Sequence, residues 1–396
     1  MSTQPGSATT APRTAGSIAA EFGAAWRTRT TRGEILMGDF YGGRPVILKY
    51  MPWTGPILEA GCGLGRYVFY LRKLGYDARG VEISEEALEE CRRHASRTGE
   101  PEDLFQSGDV RGLDPERFPT GSLAGYLSLG VVEHFIEGPQ AAFAEAGRLL
   151  APGGVALFCT PNRWSLEHLE DVSRGAARRT VRRALAPMGL TRPPAPRSFD
   201  QYWFGAGQLA RFARGAGFTV TARQTLDIKY GAHEVLKNHA VALTPRGRSR
   251  LFRVLDALER TPARLFGSLA FIAAIKEGPG RRCFFCGGER VPGGPLTWSV
   301  PVCMPCVGSL PREILSHYAP GVDAHFAARE EPGGAGAPLH DRGPAACWRC
   351  GSSFAADPDF GLFGFTRPAC PECRRDPRAR GTLALHGTLE QWRPRA

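Results

Sequence analysis

A glycine-rich loop follows a short apolar run in the first quarter of the chain. The run "ILEA" (57–60) leads into Gly61, Gly63 and Gly65, and a helix-like pattern begins at Arg66. Glycine adopts positive φ and lets a ligand approach the backbone. The free N–H groups at a helix start favour an anionic group. The loop therefore predicts a nucleotide-type site, and its spacing decides which type.

The glycine spacing argues against two common nucleotide sites. A dinucleotide fingerprint, G-x-G-x-x-G, needs its third glycine at position 66, where the chain has Arg66. A phosphate loop of the type G-x-x-x-x-G-K-[ST] does not occur there either. The observed pattern is E-x-G-x-G-x-G, starting at Glu59. It resembles motif I of the class I S-adenosylmethionine-dependent methyltransferases.

Later stretches extend this resemblance in the expected order. "ARGVEIS" (78–84) resembles the second strand, whose acid, Glu82, can accept both ribose hydroxyls. "FQSGDV" (105–110) resembles the third strand, and its Asp109 is similar to the acid that meets the adenine amino group. Two further stretches resemble the fourth strand with its loop and the fifth strand with its preceding helix: "AGYLSLGVVEHF" (124–135) and "AGRLLAPGGVALFCTPN" (146–162).

The resemblance implies both a fold and a set of cofactor ligands. The fold is α/β, a Rossmann-like doubly wound sheet, and the match is good over about 55–162 and weak to about 277. The implied ligands of S-adenosylmethionine are Glu59, Gly61, Gly63, Gly65, Glu82, Ile83, Asp109, Val110 and Leu129.

His134 in "GVVEHF" is the candidate catalytic base. The sulfonium methyl group is already electrophilic, so the protein has to hold a nucleophile in line behind it and, where needed, remove its proton. The resemblance places His134 just past the fourth strand, facing the substrate. The alternative is that His134 packs against the cofactor or hydrogen-bonds Glu133.

The sequence around the predicted fourth and fifth strands favours some classes of methyl acceptor over others. The (D/N)-P-P-Y sequence of base-amine methyltransferases does not follow the fourth strand, which argues against DNA base amines. Cys159 could resemble the nucleophile of pyrimidine-C5 enzymes, but a single cysteine in a buried strand is typical of packing. The sequences "SLGVVEHF" and "LLAPGG" most closely resemble the branch of these methyltransferases that modifies small molecules. We therefore expect an oxygen acceptor, or a nitrogen, on a small molecule or a glycan or natural-product precursor.

Eight of the eleven cysteines form four C-x-x-C pairs beyond residue 280. Two such pairs complete a tetrahedral site of four thiolates, and the spacings are those of zinc modules. The sequence predicts two structural zinc ions in sequential sites without a catalytic role. Iron, a cross-braced pairing and redox dithiols remain alternatives. The predicted ligands are Cys283, Cys286, Cys303 and Cys306, then Cys347, Cys350, Cys370 and Cys373.

The elements that must position these residues can be read coarsely. Strand-like and helix-like segments alternate from about 55 to 160, which indicates a parallel sheet flanked by helices. We also expect a helix and a strand within 207–226, a helix over 246–265 and a last buried strand at 268–277. The predicted organisation is a disordered tail (1–30), a methyltransferase domain (31–278) with a basic insertion (163–200), and a zinc-binding domain (279–396).

Composition bounds the location and the partners. The 396 residues carry a net charge of +11 and include no apolar run long enough to cross a membrane. The polar N-terminus lacks a signal-peptide core, so a cytoplasmic location is expected. The arginines of "SRGAARRTVRRALAPMGLTRPPAPR" (173–197) predict a cationic helix at the cleft rim that draws in a phosphorylated or acidic acceptor. The alternative is a solvated arginine face without a role in binding.

Two other functions remain open at this point. One is an RNA methyltransferase whose zinc modules and arginines contact phosphates, although nucleic acid is not the favoured partner. The other is a zinc-binding adaptor with a vestigial methyltransferase domain. The intact acids Glu59, Glu82 and Asp109 argue against the adaptor. The sequence indicates no oligomeric state.

Overall fold

A seven-stranded sheet, in the order β3-β2-β1-β4-β5-β7-β6, forms the centre of the molecule. The structure is a computed structural model that describes residues 15–36, 43–52, 55–73, 76–174, 201–239, 244–258, 261–278, 283, 284 and 288. The strands are β1 (Pro56–Ala60), β2 (Asp77–Glu82), β3 (Phe105–Ser107), β4 (Leu123–Leu129), β5 (Leu150–Pro161), β6 (Phe218–Leu226) and β7 (Leu269–Lys276). Neighbouring strands from β1 to β5 pair in parallel, and β7 is antiparallel to both β5 and β6.

Helices cover both faces of the sheet, as the prediction of a doubly wound α/β fold requires. They are α1 (Ala15–Trp26), α2 (Thr31–Leu36), α3 (Gly43–Tyr50), α4 (Arg66–Lys73), α5 (Glu85–Thr98), α6 (Gln140–Leu149), α7 (residues 166–174), α8 (Ala206–Gly215), α9 (Ile228–Asn238) and α10 (Pro245–Leu258). Two separate hydrophobic clusters form, one on each face. The prediction of a Rossmann-like sheet is therefore confirmed. None of the helices, as far as the chain is described, is long and apolar enough to cross a membrane.

The central strands are apolar throughout because they are covered on both faces. Every residue of β4 except Leu129 is buried, and the run Val155–Cys159 of β5 is buried without interruption. On one face Phe143 of α6 stacks on Phe158 with ring centroids 3.9 Å apart. The continuous apolar runs that predicted buried strands thus correspond to the middle of the sheet.

The order of the strands creates a crevice between β1 and β4. The chain proceeds from β1 to β2 and β3 on one side, and returns to place β4 and β5 on the other. In open α/β sheets such a reversal leaves space at the carboxyl ends of the strands, and ligands bind there. The loops after Ala60 and Leu129 border this space.

The prediction of a disordered tail over residues 1–30 is wrong for Ala15–Trp26, which form α1. Ile18, Phe22 and Trp26 recur every four residues and so share one face of the helix. Ile18 is only 3% exposed. The stripe is hard to recognise in the sequence because the other residues of the helix are mostly alanine and glycine. Residues 1–14 lie outside the described residues.

The helix predicted over 246–265 is wrong in its second half. Helix α10 ends at Leu258, and a separate 3₁₀ turn, Pro262–Phe266, follows. Proline disfavours helical geometry in the residue before it. Thr261 accordingly has extended backbone, and its hydroxyl accepts the N–H of Ala263 at 3.1 Å.

Candidate functional site

The glycine loop joins β1 to α4 and faces the crevice. Gly61, Gly63 and Gly65 have φ of 73°, 52° and 72°, a region that side-chain-bearing residues rarely adopt. The N–H groups of Gly61 and Cys62 donate to the carbonyl of Val81 at 2.8 and 2.9 Å. These bonds fix the loop against the end of β2. The predicted turn is therefore present with the geometry that its glycines require.

Glu59, the acid of motif I, is buried beneath the loop. Its carboxylate accepts the N–H of Val68 at 3.1 Å, near the start of α4. Burial raises the pKa of Glu59 to about 8, although the positive charge of Arg66 and the hydrogen bond from Val68 act in the opposite direction. Glu59 thus links the end of β1 to the helix that follows the loop.

Glu82 ends β2 and binds three backbone N–H groups. One carboxylate oxygen accepts from Gly63 at 2.8 Å, and the other accepts from Ile83 and Ser84 at 2.9 and 3.1 Å. Burial raises its pKa, while these hydrogen bonds lower it. A carboxylate has about four lone-pair sites, so a ribose diol can still donate to the same oxygens. Ser84 also caps α5 by accepting the N–H of Ala87.

Two neighbouring cavities lie at this end of the sheet. The smaller cavity, of about 70 Å³, lies between the ends of β1, β2 and β4 and helix α1. Its walls bring together five predicted cofactor ligands with the predicted base: Gly61, Glu82, Ile83, Asp109, Val110 and His134. The opposite wall consists of Ile18, Phe22 and Trp26 from α1. The arrangement supplies a carboxylate at each end and apolar side chains between them.

Asp109 is held by an arginine two residues further on. Arg111 binds its carboxylate through Nε at 3.0 Å and through Nη2 at 2.6 Å. Partial burial acts to raise the pKa of Asp109, but the hydrogen bonds and charge of Arg111 lower it overall. Arg111 also pairs with Glu137. Asp109 is therefore ionised and fixed in the cavity wall.

His134 lies on the side of the smaller cavity, in the 3₁₀ turn Val132–His134 after β4. Its ring meets the ring of Phe22 edge-on, with centroids 4.9 Å apart. Its Nε2 atom is 4.0 Å from Oε1 of Glu133, which is too long for a hydrogen bond. The contact with Phe22 is a packing role for His134 at the cavity wall, and its catalytic role stays a prediction.

A larger cavity of about 480 Å³ opens beside the first, at the carboxyl ends of β1, β4 and β5. The two cavities share Trp26, Gly61 and Gly130 in their walls. Among the predicted cofactor ligands, Glu59, Gly61, Gly63 and Leu129 line the larger cavity. Gly65 lines neither cavity. A Cβ at Gly65 would lie 2.7 Å from the ring of Phe105, so this glycine serves packing.

Most of the acidic and basic side chains (Asp, Glu, Lys, Arg and His) in the described lining of the larger cavity are carboxylates. They are Glu34, Glu59, Glu133, Glu167 and Glu234, and Arg66 accompanies them. This lining does not support the expectation of a phosphorylated or acidic acceptor, because Arg66 is its single described cationic side chain and Glu34 already lies 3.7 Å from it. The basic stretch that supported that expectation, 173–197, lies outside the described residues except for 173 and 174.

Several residues that line this cavity belong to no recognisable sequence motif, so they could not be identified from the sequence. Glu133 precedes His134 and so attracts no separate attention. Tyr230, Glu234 and Asn238 follow one face of α9 at four-residue spacing, which reads as an ordinary amphipathic helix. Glu167 and Trp203 lie on either side of the basic stretch 173–197 in the sequence and approach α9 only in the fold.

The cysteines fall into two groups. Cys159 is buried in β5, and burial strongly raises its pKa, so it is a packed thiol as expected. Of the eight predicted zinc ligands, Cys283 is described: it is buried, and its N–H donates to the carbonyl of Gly288 at 2.9 Å. The other seven lie outside the described residues. Within the described ranges no group of three or more His, Cys, Asp or Glu could hold a metal ion.

Comparison with known proteins places this site in context. Residues 58–158 match the methyltransferase domain family. The S-adenosyl-L-methionine-dependent Diels-Alderase iccD of Talaromyces variabilis is 29% identical over 169 residues, which cover 41% of this chain and 54% of that protein. A ubiquinone biosynthesis O-methyltransferase of Nitrosococcus oceani is 34% identical over 107 residues, covering 27% and 44%.

The chain spans about half the length of the curated relatives that it matches. A solved complex of the Haloferax volcanii Trm112 methyltransferase activator with a methyltransferase aligns at a TM-score of 0.43 and 16% identity, covering 66% of this chain and 98% of that one. The family match, which includes the glycine loop, Glu82 and Asp109, supports an S-adenosylmethionine-dependent methyltransferase domain at residues 58–158.

Proposed function

We propose that this chain is an S-adenosylmethionine-dependent methyltransferase that modifies an oxygen or a nitrogen of a small molecule or a glycan or natural-product precursor. The observation that carries the proposal is the carboxylate of Glu82. It holds the glycine loop through Gly63 at 2.8 Å and lines a cavity at the carboxyl ends of β1 and β2. The methyltransferase match over residues 58–158 supports the same assignment.

The residues of the smaller cavity suit an adenosine group. Glu82 would accept the ribose hydroxyls, and Asp109 would accept the adenine amino group. Ile83 and Val110 supply the apolar faces between them. The larger cavity would take the rest of the cofactor beside Gly61 and Leu129, together with the acceptor. When bound, the cofactor supplies an electrophilic methyl group.

Two neighbouring side chains are candidates for the proton acceptor. His134 lines the smaller cavity, and Glu133 lines the larger one. The pKa of Glu133 is raised by burial to about 8, which suits a group that accepts a proton near neutral pH. Either residue would act on an acceptor held in line behind the methyl group.

The cysteine pairs are proposed to hold two structural zinc ions. The support is the chemistry of the donor set: eight thiolates in four C-x-x-C pairs match two closed tetrahedral sites. The sites would stabilise residues beyond about 280. We propose for them no role in methyl transfer.

A label-transfer assay tests the proposed function. The full chain is incubated with S-adenosylmethionine carrying a tritiated methyl group and with the small-molecule extract or the RNA of cells that express it. We expect label in the small-molecule fraction, with S-adenosylhomocysteine released in equal amount.

Three other results would contradict the proposal in distinct ways. Nuclease-sensitive label in RNA would establish the RNA methyltransferase. Bound but unconsumed cofactor would favour a cofactor-dependent activity without methyl transfer, of the kind named for the relative iccD. Failure to bind cofactor would favour the adaptor.

A further inference from the structure

We propose that the larger cavity binds its acceptor as a positively charged amine, with Glu133 as the carboxylate that receives the ammonium group. This inference rests on the proposed function and names the substrate class of the same site. It selects nitrogen from the two acceptor atoms that the proposed function leaves open.

The first observation is that Glu133 is buried with an unpaired oxygen. The residue is 1% exposed and lines the larger cavity, and among the described residues its Oε2 atom has no hydrogen-bond partner. Its Oε1 atom lies 4.0 Å from Nε2 of His134, beyond hydrogen-bond distance. A buried polar group without a partner costs free energy, and a buried charge costs more. A cation bound in the cavity would remove that cost.

The second observation is that the other carboxylates near the loop already have partners. Glu34 lies 3.3 Å from Arg29 and 3.7 Å from Arg66, and Glu59 accepts the N–H of Val68. In the lining as described, Arg66 is the single cationic side chain, so it balances the acids on its own side only. Glu133, on the β4 side, has no cationic partner within hydrogen-bond distance among the described residues, since Nε2 of His134 is 4.0 Å away.

The far wall adds negative charge and aromatic surface. Within the described residues, the Oε2 atom of Glu167 of α7 has no hydrogen-bond partner. Burial raises the pKa of Glu167 although hydrogen bonds from Ser268 and Ser165 lower it, and the charge of Glu234 raises it further. Tyr230 and Glu234 lie one turn apart on α9 and line the same cavity as Trp203. Carboxylates beside aromatic rings are a common environment for ammonium groups. An anionic acceptor would find no cationic side chain on this far wall among the described residues.

Glu133 also accounts for the proton that an ammonium group must lose. A protonated nitrogen has no lone pair and is not a nucleophile. Transfer of one proton breaks an N–H bond and forms an O–H bond on the Glu133 carboxylate. The electron pair of the broken bond stays on nitrogen, which is then able to attack. Glu133 lies on the turn after β4, at the side where the two cavities share Gly130.

Equilibrium binding tests this inference without requiring turnover. The full chain, saturated with S-adenosylhomocysteine, is titrated with three matched sets of probes built on phenylethyl, hexyl and cyclohexylmethyl groups. Each set contains an amine, the corresponding alcohol and a carboxylate of similar length. A charged hydrogen bond contributes about 1.5–3 kcal/mol, so in at least one set the amine should bind roughly tenfold or more tightly than the alcohol. The carboxylate should bind most weakly.

Matched variants locate the preference. Glu133→Gln keeps the shape and removes the charge, and should reduce the preference for the amine to about threefold or less; Glu167→Gln should reduce it in part. Glu116→Gln changes an exposed acid outside the cavity and should leave it unchanged. Circular dichroism and retained affinity for S-adenosylhomocysteine show that each variant is folded.

Equal binding of amine and alcohol, stronger binding of the carboxylate, or no binding in any set would overturn the inference. So would an undiminished preference in a folded Glu133→Gln protein. Loss of S-adenosylhomocysteine binding by the unmodified chain would instead overturn the proposed function.

Discussion

At the residue scale, two buried acids near the carboxyl ends of β2 and β4 differ in their hydrogen bonds. Glu82 accepts three backbone N–H groups, whereas Oε2 of Glu133 has no hydrogen-bond partner among the described residues. The first arrangement stabilises a loop around a ligand that donates hydrogen bonds. The second leaves capacity for a ligand that brings a charge or a proton.

Glu133 predicts a particular dependence of stability on pH. Burial raises its pKa to about 8 in the folded protein, from an ordinary value of 4.5. Between these values the folded state keeps a proton that the unfolded state has released, so the free energy of unfolding falls as pH rises. Glu133→Gln removes this contribution. The variant should lose less stability than the wild type between about pH 5 and pH 9.

Thermal denaturation across that range checks the pH prediction. About 1 kcal/mol shifts the midpoint by roughly 2–4 °C in a protein of this size. Glu59, whose pKa is also raised to about 8, should leave some slope in the variant. Identical slopes for wild type and Glu133→Gln would show that Glu133 is already ionised in the folded state.

A kinetic comparison separates the two candidate proton acceptors. With the best-binding amine, Glu133→Gln should lower turnover at saturating cofactor by about 10²–10⁴. His134→Ala should mainly raise the cofactor concentration required, because His134 contacts Phe22 beside the smaller cavity. The reverse pattern in steady-state kinetics would restore His134 as the base.

At the element scale, helix α1 forms the outer wall of the smaller cavity, where we propose that the cofactor binds. Phe22 and Trp26 line it opposite Glu82 and Asp109, and Trp26 also lines the larger cavity. A wall from outside the sheet excludes water, which strengthens the polar contacts of a ligand inside. Helix α1 therefore belongs to the site.

Phe22→Ala should weaken the binding of S-adenosylhomocysteine by about tenfold, because it removes an apolar side chain from the cavity wall. Ala24→Ser, on the exposed side of the same helix, is the control and should bind normally. Calorimetric titration measures both. Equal affinity of the two variants would mean that α1 does not contact the ligand.

The same scale shows what the sequence could predict. Strands β1, β4, β5 and β7 are buried apolar runs, and the glycine loop has a fixed spacing. These strands and the loop can therefore be predicted from the sequence. Helix α1 could not be predicted in this way, because its three large apolar residues stand among alanines and glycines and follow a polar segment. The position of Glu133 in a cavity wall could not be predicted either. No sequence pattern gives the direction of one acidic side chain on a turn, or the residues of α7 and α9 that lie opposite it.

At the scale of the whole molecule, net charge and site charge have opposite signs. The chain carries +11, yet the described lining of the larger cavity contains five glutamates and one arginine. Net charge describes the surface as a whole and its effect on solubility and encounter. It therefore gives little information on the charge of the acceptor.

The cysteine-rich region predicts two zinc ions per chain. Small modules with four thiolates fold only with their metal, so binding should be tight and stoichiometric. Elemental analysis of reduced protein purified without chelator should give two zinc ions. Cys283→Ser and Cys347→Ser should each release one if the sites are sequential. Loss of both ions on either change would indicate the cross-braced pairing, and one zinc ion or none in the unchanged protein would contradict the two-site prediction.

The central claim is that the smaller cavity binds the adenosine group of S-adenosylmethionine through Glu82. Calorimetric titration of S-adenosylhomocysteine into the full chain and into Glu82→Ala tests it most directly, with the exposed Glu85→Ala as the control. Loss of a charged hydrogen bond costs about 1.5–3 kcal/mol, so Glu82→Ala should bind roughly ten- to a hundredfold more weakly while the control binds as the wild type does. Unchanged affinity in a folded Glu82→Ala protein, or no binding by the wild type, would contradict the claim.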